Sequence, residues 1–229
     1  MQIVWIKQAN PGPTNSLPAA NADAMNVMSG LGNIVRSAKL RYPNLRMAFF
    51  SSRIYAGYAS TGLNPEPYAY EGAFGVKWLI EAQIEQMAGG GIDPTAGDLD
   101  YVNGTSPWLA WGPYLWADGL TPREDGMTWT CADMQSDGTH PAQTGEEKVG
   151  SMLLQFMLNS PYRRPWFTNC WTADPDGNGE LNMADIPVFV DVLLGIDGAP
   201  MHAFGSDRNC DGRVSGADVE PFVDGLLAN

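Results

Sequence analysis

An internal repeat in the last quarter of the chain constrains its fold more than any other feature of the sequence. The stretch DPDGNGELNMADIPVFVDVLLG, residues 174–195, recurs 33 residues later as DRNCDGRVSGADVEPFVDGLLA, residues 207–228. In both copies a loop rich in Asp, Asn and Gly leads into a helical pattern with a shared Phe and a Leu-Leu pair. Because the copies stand in register, the sequence predicts two equivalent loop-and-helix units that share a small core.

The repeated loop carries the residue types that bind calcium. Oxygen-bearing side chains occupy loop positions 1, 3, 5, 9 and 12, and Gly at position 6 permits the sharp turn of an EF-hand loop. Position 7 contributes its backbone carbonyl, so its side chain is unrestricted. The predicted metal residues are Asp174, Asp176, Asn178, Glu180, Asn182 and Asp185 in loop 1, and Asp207, Asn209, Asp211, Arg213, Ser215 and Asp218 in loop 2. The sequence thus predicts two Ca²⁺ ions; the alternative is a pair of metal-free polar surface loops.

Position 12 of both loops is Asp, where an ordinary EF-hand has Glu. A duplicated loop-plus-helix segment with this departure resembles the type I dockerin domain, over about residues 170–229. The resemblance implies an extracellular, polysaccharide-degrading protein that binds a cohesin on a scaffold or cell surface. Dockerins recognise cohesin largely through loop positions 10 and 11, often Ser or Thr. The residues at these positions here are Met183, Ala184, Gly216 and Ala217.

Charge and composition restrict the partners further. The net charge is −13, and residues 170–229 carry −9 of it, which argues against nucleic acid and anionic membrane surfaces as partners. No stretch is long and apolar enough to span a bilayer, and the opening MQIVWIKQAN is not a signal peptide. Three cysteines, Cys131, Cys170 and Cys210, are too few for a disulfide scaffold. A Cys170–Cys210 disulfide and two free thiols both stay open.

Residues 1–168 are predicted to form an α/β domain. The runs QIVWIKQA, LRMAFFSS and PWLAWGPYLWA are typical of strands, and they alternate with three helical patterns. This alternation predicts a parallel sheet covered by helices. PYRRPWF ends this domain, and residues 169–229 form the second. In the second helix Phe74, Leu79, Ile80 and Ile84 are expected to face inward, and in the third Thr144 is the expected N-cap with Glu147 completing a capping box.

The stretch SDGTHP places Asp137 three residues before His140, directly ahead of the last helix of this domain. This arrangement resembles the final catalytic block of the SGNH (GDSL-like) hydrolases. The resemblance implies a flavodoxin-like three-layer sheet, His140 as general base for a serine nucleophile, and Asp137 as the residue that orients the imidazole. It also implies hydrolysis of a carbohydrate ester. The alternative is a polar loop that caps a helix.

The nucleophile block of that family, Gly-Asp-Ser after the first strand, is not found in this sequence. In the strand order 2-1-3-4-5 of the family, QIVWIKQA matches the third strand, so the Gly-x-Asn-Asp oxyanion-hole block that follows the family's third strand would fall near Gln8 and Asn10. The first two strands are therefore expected to be missing, and Met1 to be an internal start. Ser51 and Ser52 follow the second strand, but they lack a glycine-flanked elbow and are not expected to replace the nucleophile.

Three functions are consistent with these features. The first is a fragment of a secreted SGNH-type esterase that carries a calcium-binding dockerin and is inactive for want of its nucleophile. The second is a non-catalytic, calcium-stabilised module that binds a scaffold or surface. A glycoside hydrolase is the weakest, because it needs paired carboxylates across a cleft and none stand out.

Overall fold

The computed structural model describes residues 2–160, 162, 174–209 and 212–228. The chain divides into two compact units, Met1–Phe156 and Met157–Asn229. The predicted domain boundary between residues 168 and 169 lies outside the described residues, as do Cys170, Cys210 and Asp211. Each unit is described separately below.

The first unit is built on a three-stranded parallel sheet. Its strands are β1 (Ile3–Ile6), β2 (Met47–Phe50) and β3 (Trp108–Trp111), in the order β1-β2-β3. Ile3 lies opposite Met47, which in turn lies opposite Trp108. The three apolar runs of the sequence are therefore strands, and the predicted parallel α/β architecture is confirmed.

Helices cover both faces of this sheet. They are α1 (Asp23–Arg41), α2 (Tyr68–Met87) and α3 (Gln143–Asn159). Neighbouring residues of a strand point to opposite faces, so Phe50 joins the core beneath α1 and α2, whereas the ring of Phe49 lies 5.0 Å from that of Phe156 in α3. Burial on both faces explains why the strands are continuous apolar runs in the sequence.

The inward face of α2 differs from the prediction at one position. Leu79 and Ile80 are buried and Phe74 is partly buried, but Ile84 is 63% exposed, so its predicted inward orientation is wrong. The reason is Gln83, which is buried in its place. Its Nε2 donates to the carbonyls of Leu99 and Pro107, and its Oε1 accepts from the amide of Leu109 in β3.

The start of α3 also differs from the prediction. The helix begins at Gln143, so Thr144 lies within its first turn and is not the N-cap. The Thr144 hydroxyl donates instead to the carbonyl of Ala132, 3.1 Å away, and Glu147 accepts from the Gln143 side chain. The hydroxyl therefore bonds to a carbonyl of the turn that precedes the Asp137–His140 loop and not to a backbone group of α3.

The second unit is helical in the part that the structure describes. Its helices are α4 (Asp185–Leu193), α5 (Pro200–Ser206) and α6 (Val219–Leu227). Phe189 and Phe222 occupy equivalent positions in the two sequence repeats, and their rings stack in parallel with centroids 4.0 Å apart. Both are buried, and Leu181, Ile186, Leu193 and Leu226 pack around them. The repeats thus form one shared core, as their register predicts.

Candidate functional site

Asp137 and His140 form a hydrogen-bonded pair in the loop before α3. The Asp137 Oδ2 lies 2.5 Å from Nδ1 of His140, and its Oδ1 accepts from the amides of Thr139 and His140 at 2.9 and 3.0 Å. The hydrogen bond from the His140 ring, followed by those two amides, holds the pKa of Asp137 well below its usual range. The carboxylate therefore stays ionised at neutral pH and fixes the orientation of the imidazole.

The loop that carries this pair is closed at its base. The amide of Gln135 donates to the His140 carbonyl at 2.8 Å, and Met134 forms a bridge with Pro141. Gly138 turns the loop with φ +64°, and a Cβ built there would meet the Tyr58 carbonyl oxygen at 1.8 Å. Only glycine satisfies both the backbone conformation and the close approach.

The buried carboxylate of Asp133 lies just before the same loop and anchors it. Asp133 accepts hydrogen bonds from Lys148 at 2.6 Å and from the amide of Thr130 at 2.8 Å. Burial raises the pKa of Asp133, but these hydrogen bonds outweigh it and the net shift is downward. The Asp133 carbonyl accepts from Ala142, immediately before α3, so the pair is attached to a rigid helix start.

The loop that follows β2 meets the Asp137–His140 loop, and the loop that follows β1 meets the loop after β2. Ser60 donates to the Asp137 carbonyl through both its amide, at 2.9 Å, and its hydroxyl, at 3.1 Å. The hydroxyls of Thr61 and Thr139 are 3.3 Å apart, and Gly12 donates to Gly62 at 3.2 Å. Since the carboxyl ends of parallel strands share one edge, the pair lies where open α/β sheets bind ligands. No sequence pattern indicates a role for Ser60 or Thr61.

Among the described residues, no hydroxyl is hydrogen-bonded to the His140 ring, whose side chain is 57% exposed. Ser51 is buried, with its Oγ donating to the Pro113 carbonyl at 2.5 Å and accepting from Trp5. Ser52 is buried as well, and its Oγ accepts from the amides of Leu115 and Trp116. Both serines therefore join the ends of the strands together, and neither is free to act as a nucleophile.

Two cations at this edge of the sheet carry no predicted role. Arg53 follows β2, and its Nε and Nη2 atoms are buried without a hydrogen-bond partner. Lys7 follows β1, and burial together with the nearby charge of Arg53 lowers its pKa to about 8. A charged residue within three positions of the end of a strand is the only sequence feature that indicates either one.

Loop 1 of the second unit gathers three of its predicted ligands. Carboxylate oxygens of Asp174, Asp176 and Asp185 all lie within 4.8 Å of one another, so this group could bind a metal ion. Oxygens on opposite sides of one Ca²⁺ ion are about 5 Å apart, because each bond is about 2.4 Å long. The spacing and the all-oxygen donor set fit calcium. Asp185, at the closing position, is fully buried.

Loop 2 repeats the internal hydrogen bonds of loop 1. The amide of Gly179 donates to Asp174 at 2.6 Å, and that of Gly212 donates to Asp207 at 2.8 Å. The closing carboxylates match as well, since Asp218, like Asp185, is fully buried. The bonds that each accepts come from Asp176 and Asn182 in loop 1 and from Asn209 and Ser215 in loop 2. The two loops therefore share the same pattern of internal hydrogen bonds.

The remaining predicted ligands contribute in other ways. The Asn178 side chain donates to Asp176 through Nδ2, and its Oδ1 accepts from the backbone amide of Glu180 at 2.9 Å. The side chains of Glu180 and Arg213 are exposed, which suits a position that offers only its main chain. Asp211 lies outside the described residues. Of the cysteines, Cys131 is an exposed free thiol, and the Cys170–Cys210 pairing is not described.

No protein-family model, no curated protein and no solved structure matches this chain. In the part of the chain that the structure describes, none of the helices combines the length and the apolar character needed to cross a bilayer.

Proposed function

We propose that the first unit is an SGNH-type ester hydrolase domain that retains the acid–base half of its catalytic apparatus. The observation that carries this proposal is the Asp137–His140 pair, with Nδ1 of the imidazole on the carboxylate at 2.5 Å, in a loop attached to the carboxyl edge of the sheet. The consecutive parallel order β1-β2-β3 supports it, because the third to fifth strands of a flavodoxin-like sheet are adjacent in that way.

In this proposal the two residues have the roles of a hydrolase dyad. Asp137 accepts the Nδ1 proton of His140, which leaves the Nε2 lone pair to take a proton from an attacking hydroxyl. The ionised carboxylate then stabilises the imidazolium that forms. The reaction class is acyl transfer from an ester, with a carbohydrate ester as substrate. The serine that would be acylated is not among the described residues around His140, so this chain is expected not to turn over by itself.

Hydrolysis of an aryl acetate tests this function. The wild-type chain should hydrolyse the ester no faster than its His140→Ala variant, because a base without a nucleophile does not begin acyl transfer. The matched control is His202→Ala, which removes the other histidine of the chain. A rate that falls only in His140→Ala would show that some residue of this chain is the nucleophile, and Ser60 would be the first to replace.

The second unit supports a second function, which is the binding of two calcium ions by a dockerin-like module. The observation behind it is the equal hydrogen bonding of the two loops around Asp185 and Asp218. Bound calcium would stabilise the module, because three carboxylates whose oxygens lie within 4.8 Å of one another repel each other without a cation. An extracellular location and a cohesin-type partner on a scaffold or cell surface belong to the same proposal.

A pull-down with an immobilised cohesin tests the partner, with and without a calcium chelator. Met183 at loop position 10 is 73% exposed, where a dockerin often has Ser or Thr. Capture that disappears on chelation supports a dockerin function. Failure of capture together with intact calcium binding would leave a calcium-stabilised module with another partner.

A further inference from the structure

We propose that five aromatic side chains at the carboxyl edge of the sheet form a binding surface for a neutral polysaccharide. This aromatic strip consists of Tyr55 and Tyr58 in the loop after β2, Tyr70 in the first turn of α2, and Tyr114 and Trp116 in the loop after β3. The inference rests on the proposed hydrolase function for the kind of substrate, and it adds the surface on which the sugar chain would lie.

The rings of the strip follow one another in close contact. The centroids of the Tyr58 and Tyr55 rings are 5.1 Å apart. The Trp116 ring comes next, 6.4 Å from that of Tyr55 and 4.7 Å from that of Tyr70. The planes of these pairs are inclined at 79°, 61° and 52°, so none of the three pairs is stacked face to face. The parallel pair of rings in the core of the second unit is different, because there each ring covers a face of the other.

The strip is accessible to a ligand. Tyr70 is 41% exposed and Tyr114 is 38% exposed, and the other three side chains are half-buried. Contiguous exposed apolar surface, as opposed to a single exposed ring, marks an interaction site. In the part of the chain that the structure describes, the hydroxyls of Tyr55, Tyr70 and Tyr114 form no hydrogen bond with the protein, whereas that of Tyr58 donates to a carbonyl. Three hydroxyls are therefore available to a polar ligand.

One carboxylate holds the strip in place before any ligand binds. Glu66 Oε1 accepts from the Trp116 indole at 2.9 Å and from the Ala56 amide at 3.0 Å. Its Oε2 accepts from the Tyr70 amide at 3.0 Å. Glu66 thus connects the loop after β2, the start of α2 and the loop after β3, which are the three segments that carry the strip. A surface fixed in this way loses little conformational entropy when it binds.

The chemistry of the strip matches a sugar ring. Each aromatic ring is apolar on its face and, in Tyr and Trp, polar at its tip. A pyranose ring is the complement, because its C–H bonds form an apolar face and its hydroxyls lie around the rim. Rings that line up over several contacts suit a chain of such sugars better than a single one.

Charge favours a neutral polymer over an anionic one. Among the described residues, Arg123 is the cation that lies over a ring of the strip, 6.0 Å from the centre of Tyr114, and it is paired with Asp125. The net charge of the chain is −13. Nucleic acid also stacks on aromatic rings, but it needs a positively charged path for its phosphates, and the strip does not provide one.

The strip ends at the Asp137–His140 loop. The carbonyl of Tyr58 lies against Gly138, where an added Cβ would approach it to 1.8 Å. The amide of Ser60 donates to the Asp137 carbonyl at 2.9 Å. A polysaccharide bound along the strip would therefore bring its substituents toward the acid–base pair.

Affinity electrophoresis of the full chain tests the surface, with hydroxyethyl cellulose, arabinoxylan and glucomannan as the neutral probes. We expect neutral polysaccharide to retard the chain relative to a gel without polymer. Carboxymethyl cellulose, which has the backbone of hydroxyethyl cellulose but carries negative charge, should not retard it. Unchanged mobility in all three neutral gels would overturn the proposal in favour of a protein partner. Equal retardation by the charged and the neutral cellulose would overturn the choice of a neutral ligand.

Single substitutions locate the binding surface. Tyr70→Ala should raise the Kd for the retarding polysaccharide by about fivefold or more, because it removes one exposed ring. Tyr42→Ala is the matched control, since Tyr42 is 46% exposed but follows α1 at the opposite edge of the sheet, and it should leave Kd unchanged. Tyr114→Ala covers the case in which Tyr70→Ala does not fold. A Kd equal to that of the wild type in the folded variants of the strip would contradict the proposal.

The hydrolase function is decided separately from this binding. An aryl acetate has no sugar ring for the strip to bind, so its hydrolysis reports on the acid–base pair alone. Retardation that depends on Tyr70 would support the binding surface whatever the result with the aryl acetate. Loss of retardation would reject the surface and leave the result with the aryl acetate unaffected.

Discussion

The Nδ1 atom of His140 lies 2.5 Å from Oδ2 of Asp137, and the same contact at the same distance joins His202 to Asp197 in the second unit. The two pairs differ in exposure, since the His140 side chain is 57% exposed and that of His202 is 33% exposed. The pair that the proposed hydrolase would use is thus the one whose histidine side chain is more exposed to a reactant. His202 is a control supplied by the chain itself.

Asp137→Asn should slow the acylation of His140 by diethyl pyrocarbonate by about tenfold or more. The carboxylate keeps the Nδ1 proton in place, which leaves Nε2 as the nucleophilic atom, and an amide does this less well. Peptide mass spectrometry of the modified chain measures each histidine separately. Asp197→Asn should slow His202 and leave His140 unchanged. Equal slowing of both histidines by Asp137→Asn would indicate a general loss of structure instead.

Gly138→Ala should destabilise the first unit by at least about 2 kcal/mol. The alanine would keep an unfavourable positive φ, and its Cβ would meet the Tyr58 carbonyl at 1.8 Å, so the loop must move. Chemical denaturation measures the change. Gly126→Ala is the matched control, because Gly126 has φ +79° but open space around it, and it should cost only about 1 kcal/mol. Equal costs would mean that the loop does not depend on the Tyr58 contact.

Calcium should bind to about two sites per chain, and Asp185→Ala should remove one of them. Asp185 supplies the closing carboxylate of loop 1 and accepts two amide hydrogen bonds there. Isothermal titration gives the stoichiometry, and far-UV circular dichroism should show a loss of helicity on chelation. Asp191→Ala, an exposed aspartate of α4, should leave both sites intact. An unchanged spectrum in excess chelator would contradict a calcium-dependent fold.

Stability should rise with pH between about 8 and 10.5, because of Lys7. The folded protein releases the Lys7 proton at about pH 8, while the unfolded chain holds it up to its ordinary pKa of 10.5. The unfolded state therefore binds more protons in this window, and unfolding becomes less favourable as pH rises, by up to about 3 kcal/mol. Lys7→Met should abolish this rise, measured by denaturation at each pH. Lys77→Met, an exposed lysine of α2, should not.

The parts of this protein that the sequence predicts are those that depend on contiguous residues. The two repeated acidic loops are predicted because each gathers its oxygen-bearing residues within 12 residues, and the Asp137–His140 pair because only two residues separate them. Positions decided by distant partners are not predicted. Gln83 is buried because two loop carbonyls and the amide of Leu109 in β3 lie beside it, and Ile84 is exposed as a result.

Arg53 is the clearest case of what the sequence leaves open. Its position after a buried strand predicts that it lies at the ligand-binding edge of the sheet. Whether a guanidinium has a partner there depends on how the loops after β1 and β3 arrange their acceptors. Glu66 is the carboxylate whose charge acts on Arg53, but it accepts hydrogen bonds from two backbone amides and an indole. No sequence pattern indicates these hydrogen bonds.

Gln83 has one more consequence. The amides of Trp108 and Gly112 point from β3 toward β2, so the amide of Leu109 points away from the sheet, and the Gln83 side chain accepts from it. A helix residue thus occupies a hydrogen-bonding position that another strand would need. Among the described residues, no side chain occupies a backbone hydrogen-bonding position at the β1 edge in this way. The two edges of the sheet therefore differ, and any strand added to the sheet, from this chain or another, would pair with β1.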